Sequence, residues 1–365
     1  MLKRPLRYTT FVRRTPTPIR LAAGLALLVL ISTLFLMLPF NGQERPLRPN
    51  EALFTAVSAL TVTGLTIITP AKDLSLAGQV TLMVLIQIGG VGYMVTAIVV
   101  FRLLGRSISF ADRLALRDSF GLLDMNAILT LTRRTLVAVL LIELVGAIFL
   151  WFGWRPILGD ERAAFYAIFH SVSAFCNAGF DLFAGTPGFD GIPDDAFTLS
   201  IMGSLILIGG LGIPVVADLL LVWRKKRRHL ALHSRLTLLA TAFLLVIGAL
   251  GLFVAETRPG GTLANMSPAR ALVLSTFQSI SARTAGFSAI DEFYNLAPSS
   301  QLLKIGLMFI GTAPTSMGGG ITTSTLTVLL LGLWAFARGR ETPHIFGRSL
   351  GAATMRRASA VLTTS

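Results

Sequence analysis

The sequence predicts an all-α integral membrane protein built from a repeated unit. Each unit is a long apolar helix, a half-length apolar helix, a glycine turn and a second long helix interrupted by glycine. Three observations predict this. First, the 365 residues are 53% hydrophobic and only 14% charged, with mean hydropathy +0.72, whereas charged residues make up about a quarter of an ordinary soluble chain. Second, a Ser-Ala opening followed by a glycine and a large apolar residue recurs three times, at Ser58–Leu65, Ser173–Phe180 and Ser281–Phe287. Third, the basic residues gather between the apolar runs rather than on them.

The elements follow in order. Residues 1–20 carry six Lys or Arg and no acid, and the apolar run Leu21–Phe40 after them is long enough to cross a bilayer. No small-residue cleavage site follows it, so it is taken as a span rather than a signal peptide. Pro49-Asn50-Glu51 opens a helix of about ten apolar residues, roughly 15 Å long and so about half a hydrocarbon core. After Gly64 the chain returns outward through Pro70–Asp73, and Leu74–Leu104 is expected to cross completely. The pattern repeats with a span at Thr135–Phe152, a half-helix at Ala163–Ala174, an acidic loop and a span at Phe197–Trp223. It repeats again with Leu236–Ala255, a half-helix from the Ser267-Pro268 cap to Ile280, and the interrupted run Leu302–Ala337. The turn glycines Gly64, Gly179 and Gly286 are 115 and 107 residues apart. Gly89, Gly90, Gly92, Gly209, Gly210 and Gly212 are expected to serve close helix packing.

This segmentation gives a basic N-terminus (1–20), a first pore unit (21–104), a linker (105–134), a second unit (135–223), a basic linker (224–235), a third unit (236–337) and a last segment (338–365). Four segments (1–20, 102–134, 223–235 and 338–357) hold 23 of the 32 Lys and Arg but only 4 of the 18 acids. The positive-inside rule puts them in the cytoplasm, N-terminus included. The half-helices then enter from outside, and their glycine turns sit near mid-membrane.

A non-helical turn at that depth leaves backbone groups unpaired unless it is buried or lines a wet cavity. Several such turns around one axis would surround a point with carbonyls, which can replace the hydration shell of a monovalent cation. The C-terminal end of each half-helix, carrying roughly half a negative charge, points at the same place. Glycine supplies the backbone angles that such turns need.

These residues carry a resemblance. Val62-Thr63-Gly64-Leu65, Asn177-Ala178-Gly179-Phe180 and Thr284-Ala285-Gly286-Phe287 resemble the selectivity-filter segments of the bacterial Trk/Ktr/HKT superfamily of potassium transporters. The run Gly311-Thr312-Ala313-Pro314-Thr315-Ser316-Met317-Gly318-Gly319-Gly320, extended to Thr322, is similar to the family's intramembrane gating loop. It departs from the usual Gly-Ser-Thr near 315–317 and from the usual lysine at 322. The short N-terminus resembles the Ktr branch. The resemblance implies uptake of potassium (K+) into the cell across the bacterial cytoplasmic membrane, with the ion held by filter carbonyls and controlled by the 311–322 loop. It also implies a homodimer on a ring of cytoplasmic regulatory subunits that carry the nucleotide, so the chain itself needs no covalently bound cofactor. Four pore units are usual in the family and three are visible. The repeat interval projects a further filter glycine near position 393, beyond Ser365. On that reading the chain lacks a fourth unit.

Other functions are less well supported. The basic run at 224–228 is expected to meet lipid headgroups or a regulator rather than nucleic acid. The single Cys176 rules out an internal disulfide, and four scattered histidines make no metal pattern. No paired carboxylates or nucleophile with its base suggest an enzyme. The competing reading is a truncated, non-conducting relative that binds only a regulator or lipid. Glu143, mid-span, is either functional or an internal hydrogen-bond partner. Asp218 is expected to be structural, and Arg283 to pair with Asp291 or Glu292 or to snorkel outward.

Overall fold

Proline and small polar residues start most of the half-length helices, and glycine or a positive-φ residue ends them. The computed structural model describes residues 17–92, 125–225, 227–290, 293–314 and 316–339, with 344–345, 348–349, 355, 358–359 and 363 beyond these. The first stretch holds α1 (Thr17–Leu36), α2 (Pro49–Leu60), a single helical turn at Pro70–Asp73 and α3 (Leu76–Val91). The second holds α4 (Met125–Leu158), α5 (Asp160–Phe175), α6 (Ala196–Leu211) and α7 (Ile213–Trp223). The third holds α8 (Leu232–Glu256), α9 (Pro268–Ser281), α10 (Pro298–Phe309) and α11 (Thr323–Ala337). The strand content among the described residues is a two-residue antiparallel pair, His344–Ile345 with Arg348–Ser349.

The helix starts have local causes. Glu51 accepts the Arg48 backbone N–H at 2.9 Å one turn into α2, behind Pro49. Its hydrogen bonds to the Arg45 guanidinium hold the Glu51 carboxyl at about 2, well below the usual range. Ser75, Asp195 and Ser267 cap α3, α6 and α9 by accepting the amides of Gly78, Thr198 and Arg270. Asp160 and Glu161 lie in the first turn of α5, where the helix dipole favours negative charge.

By length and composition, Arg134–Leu158 and Leu232–Glu256 can each cross a membrane. Large apolar side chains such as Leu27, Leu140, Leu141 and Phe243 are exposed on the long helices, as on a surface that meets lipid. Polar ties run inward instead. Ser171 Oγ donates to the Glu143 carbonyl at 2.6 Å, binding α5 to α4. Ser279 Oγ donates to the Leu245 carbonyl at 3.0 Å, binding α9 to α8. Buried Phe169, Phe175, Phe180, Phe183 and Trp154 fill the space around α5.

Two expected spans are corrected. α3 stops at Val91, where Gly92 takes φ +92°, so Leu74–Leu104 is not one helix through Gly92; residues 93–104 lie outside the described set. Phe197–Trp223 is two helices bent by 102° at Gly212, whose φ is +77°. Gly92 and Gly212 therefore break helices rather than merely permit packing. Gly89, Gly90, Gly209 and Gly210 do pack closely, against Leu60, Cys176, Phe175 and Thr312. Residues 1–16, most of the 105–134 linker, Lys226, Asp291, Glu292, Thr315, Arg356 and Arg357 also lie outside the described residues.

Candidate functional site

Each half-helix ends in the same backbone sequence of bends. α2, α5 and α9 give way to turns in which Val62, Asn177 and Thr284 have φ of 55°, 58° and 74°. Gly64, Gly179 and Gly286, two residues later, have φ of 79°, 71° and 82°. Amides of the turns fold back onto the helix ends: Thr63 N–H donates to the Ser58 carbonyl at 2.9 Å, Ala178 N–H to Ser173 at 2.7 Å and Gly286 N–H to Ser281 at 3.1 Å. Two left-handed residues per turn leave carbonyls free of the helix, and glycine is the residue that takes such angles at little cost.

The three turns converge. A Cβ added to Gly64 would overlap the Ala178 carbonyl oxygen, and one added to Gly179 would sit 2.5 Å from the Ala285 carbonyl oxygen. One on Gly286 would meet the Gly179 Cα at 3.5 Å. Segments 62–65, 177–180 and 284–287 are thus packed backbone to backbone about one place. Asn177 is fully buried; with its amide nitrogen turned toward α5 and α6 it donates to the Ala174 and Ile206 carbonyls at 3.1 and 3.2 Å. Ala178 and Ala285 are buried, as are Phe180 and Phe287, whereas Leu65 is 62% exposed.

The serines of the second and third Ser-Ala openings are fasteners that pattern alone did not reveal. Ser173 Oγ donates to the Phe180 carbonyl at 2.9 Å, and Ser281 Oγ to the Phe287 carbonyl. Each hydroxyl reaches across its turn and fixes the exit. Ser58 Oγ is buried without a partner. The second turn is held further by His170, whose Nδ1 contacts the Tyr166 carbonyl at 2.7 Å and whose Nε2 accepts the Leu182 N–H at 3.2 Å and lies 2.9 Å from Asp181 Oδ1.

The Gly311–Thr322 run is a loop between α10 and α11, as its glycines and proline required. It closes on itself through Gly311 N–H to Ile321 O at 2.9 Å, Thr323 N–H to Thr312 O at 3.0 Å and the Thr312–Ser316 hydroxyl pair at 2.7 Å. It also docks onto α6: Ala313 N–H donates to Gly210 O at 3.0 Å and Met317 N–H to Gly209 O at 3.2 Å. Pro214 explains the vacancy at Gly210, because a carbonyl four residues before a proline has no helical donor. A Cβ on Gly318 would overlap both Thr284 Oγ1 of the third turn and Thr312 Oγ1. Ala313 and Met317 are buried, while Gly319 and Gly320 face open space or the loop's own backbone. Thr322 caps α11 by accepting the Thr325 N–H at 3.3 Å.

Arg283 does not snorkel outward as one expectation had it; its alternative partners, Asp291 and Glu292, lie outside the described residues. It is buried, and its Nη2 donates to the Gly311 carbonyl at 3.0 Å, tying the third turn to the base of the loop. Asp218 acts structurally: it accepts Arg227 Nη1 at 2.9 Å and the Ala231 N–H at 2.7 Å, and so clasps the basic linker.

Comparison with known proteins adds a family. A family model described as "TrkH: Cation transport protein" matches residues 19–362. The chain is 36% identical over 349 residues to the potassium/sodium uptake protein NtpJ of Enterococcus hirae, covering 95% of this chain and 76% of that protein. It is 35% identical over 316 residues to the Ktr system potassium uptake protein B of Vibrio alginolyticus, covering 86% and 69%. With the Bacillus subtilis protein of the same name the figures are 34% over 358 residues, 97% and 78%. The crystal structure of the potassium transporter TrkH from Vibrio parahaemolyticus superposes with a TM-score of 0.69 at 22% identity. The match covers 93% of this chain and 66% of that one, a likeness of fold alone.

Proposed function

Because the chain belongs to the TrkH family of cation transport proteins, we propose that it takes up potassium across the bacterial cytoplasmic membrane, with its N-terminus in the cytoplasm, through a filter of backbone carbonyls. The observation that carries this reading is the convergence of three left-handed turns, with Gly64 against Ala178 and Gly179 against Ala285. Carbonyls of residues 62–65, 177–180 and 284–287 replace the water around a monovalent cation. The C-terminal ends of α2, α5 and α9 add negative potential. No side chain need be ionised for this, and Asn177 serves the filter by holding the turn to α6.

Residues 311–320 act as the gate. The loop is fastened to α6 through Gly209 and Gly210 and to the third turn through Arg283. Its movement breaks a few hydrogen bonds while leaving the filter's own fastenings intact. Relatives named for Ktr systems support a partner of the same kind: a cytoplasmic, nucleotide-binding regulatory subunit, acting on a homodimer embedded in lipid.

The test is ion selectivity in a bacterium lacking its own potassium uptake. In the full-length protein, Gly64→Ser and Gly179→Ser each put a side chain where a carbonyl lies. Both should lower the preference for K+ over Na+ at least ten-fold in uptake kinetics. Unchanged kinetics for both ions in both variants would remove the filter assignment.

A further inference from the structure

α7 ends at Trp223, and the chain reverses there because Lys225 takes a left-handed φ of 55°. Arg227 N–H then donates back to the Leu221 carbonyl at 3.2 Å, which fixes the turn to the end of α7. Arg227 Nη1 reaches Asp218 Oδ1 at 2.9 Å, and the Ala231 N–H reaches Oδ2 at 2.7 Å. Asp218 is buried, whereas the Arg227 side chain is 56% exposed. The clasp engages one guanidinium nitrogen and leaves much of the group open. Arg224, Lys225 and Arg228 are exposed beside it. Among the described residues no acid forms an ion pair with any of these three.

The turn stands at a membrane boundary. Ala231 immediately precedes α8, which is long and apolar enough to cross. Its hydrogen bond to Asp218 therefore sets the last turns of α7 level with the start of a span. On α7 itself Leu219, Leu220 and Leu221 are exposed, and Trp223 is 77% exposed. Tryptophan favours the headgroup level of a bilayer, where its amphipathic ring meets both phases. An apolar strip, an open indole and a cluster of cations thus follow one another along residues 219–228.

We propose that Trp223 and the turn at 224–228 bind the headgroup of an anionic phospholipid. Charge selects the headgroup. Four exposed cations stand beside a single acid, Asp218, which is already engaged, so the turn attracts a phosphate whose charge is not cancelled within its own headgroup. A zwitterionic headgroup brings its own cation and gains little. Arg227, aimed by Asp218, presents the planar guanidinium that suits phosphate oxygens. The apolar strip selects a lipid over a free anion, because acyl chains cover Leu219–Leu221 and inorganic phosphate does not. The site lies on the bent α6–α7 pair whose Gly209 and Gly210 carbonyls hold the 311–320 loop. Lipid binding there does not rest on the potassium reading.

The test uses the delipidated full-length protein in a neutral detergent, with bound lipid counted by native mass spectrometry. Phosphatidylglycerol should be retained at least ten-fold more tightly than phosphatidylcholine of the same acyl chains. Raising salt from about 0.1 M to about 1 M shortens the screening length from roughly 10 Å to 3 Å and should weaken that retention. The triple variant Arg224→Gln, Lys225→Gln, Arg228→Gln leaves the Arg227–Asp218 clasp in place and should lower retention at least ten-fold. Trp223→Ala keeps every charge and should lower it several-fold, which decides the matter should the triple variant fail to insert. Inorganic phosphate at equal concentration should not displace the lipid. Equal retention of the two lipids, displacement by phosphate, or retention unchanged in both variants, which would leave the cations to a protein partner, would overturn the proposal. Because the readout is binding, its failure is separable from failure of the potassium assay.

Discussion

The α6–α7 pair and the α10–α11 pair occupy matching places after their glycine turns, and each is broken, but in different ways. α6 gives way at one residue, Gly212, and the chain resumes as α7 at a steep angle. α10 gives way at Ile310, and the chain spends residues 310–322 in a loop before α11. α3 ends in the same manner at Gly92. The difference teaches that a helix break at this level is the common feature and that the loop is an elaboration of one copy. The two broken helices are also complementary. Pro214 leaves the Gly210 carbonyl open and the loop's Ala313 amide fills it, while the Met317 amide adds a second donor to the Gly209 carbonyl, which also accepts the Gly212 N–H. One break makes the acceptor that the other needs, as expected when few buried backbone groups go unpaired.

The largest effect that would break this complementarity is Gly209→Ala. The new methyl would overlap the Phe175 carbonyl at the C-terminal end of α5, a backbone atom that cannot swing aside. α6 must move from α5, carrying the loop's acceptors with it. The expected cost is about 3 kcal/mol, at the upper end for overpacking a filled site. It should be visible as a lower unfolding midpoint of the purified protein in detergent micelles. Gly203→Ala on the same helix is the comparator: its methyl would meet side chains alone, the tip of Ile280 at 3.3 Å and the Phe277 ring at 3.6 Å. Equal destabilisation by the two would mean that α6 is not held in register by α5.

A smaller effect sharpens the role of the loop itself. A methyl on Gly311 would overlap the Gly319 carbonyl across the loop's neck, whereas one on Gly319 meets nothing within 4 Å. If the loop obstructs ion passage only while closed on itself, Gly311→Ala in the full-length protein should raise basal potassium flux several-fold. Gly319→Ala should leave flux within error of the parent. Flux unchanged in Gly311→Ala, with the protein folded, would make the loop a static kink.

How much of this was legible depends on the range of the cause. The three half-helices were visible because their causes are local: Pro49 or Ser267-Pro268 at the start, and Gly64, Gly179 or Gly286 at the end. A glycine interruption of this helix is expected from the repeat, but the 102° bend at Gly212-Ile213-Pro214 is not, because Gly212 reads as a packing glycine. A glycine pair in an apolar run looks the same whether it allows close packing or a bend, and only the positive φ distinguishes them. The docking of Ala313 and Met317 on α6, and of Arg283 on Gly311, joins residues far apart in the chain, and no periodicity encodes such pairs. Ser-Ala is legible as a repeat, but the role of its hydroxyl in the second and third turns depends on where the Phe180 and Phe287 carbonyls lie, which the pattern does not encode.

That hydroxyl supplies the smallest test, and it sets the first turn against the second. Ser173 Oγ is buried and donates to the Phe180 carbonyl at 2.9 Å. In Ser173→Ala the carbonyl loses a partner where water does not reach, and such a loss costs about 1–3 kcal/mol. Ser58 occupies the same place in the first turn, but its buried hydroxyl has no partner. Ser58→Ala removes an unsatisfied group, and the same reasoning makes it neutral or slightly stabilising. The pair should differ in unfolding midpoint in that direction. Only Ser173→Ala should also loosen ion selectivity, because Phe180 ends the turn that holds Gly179 against Ala285. Equal losses from the two serines would mean that the second turn is held by its aromatic packing and by His170, with the hydroxyl adding nothing to either stability or selectivity.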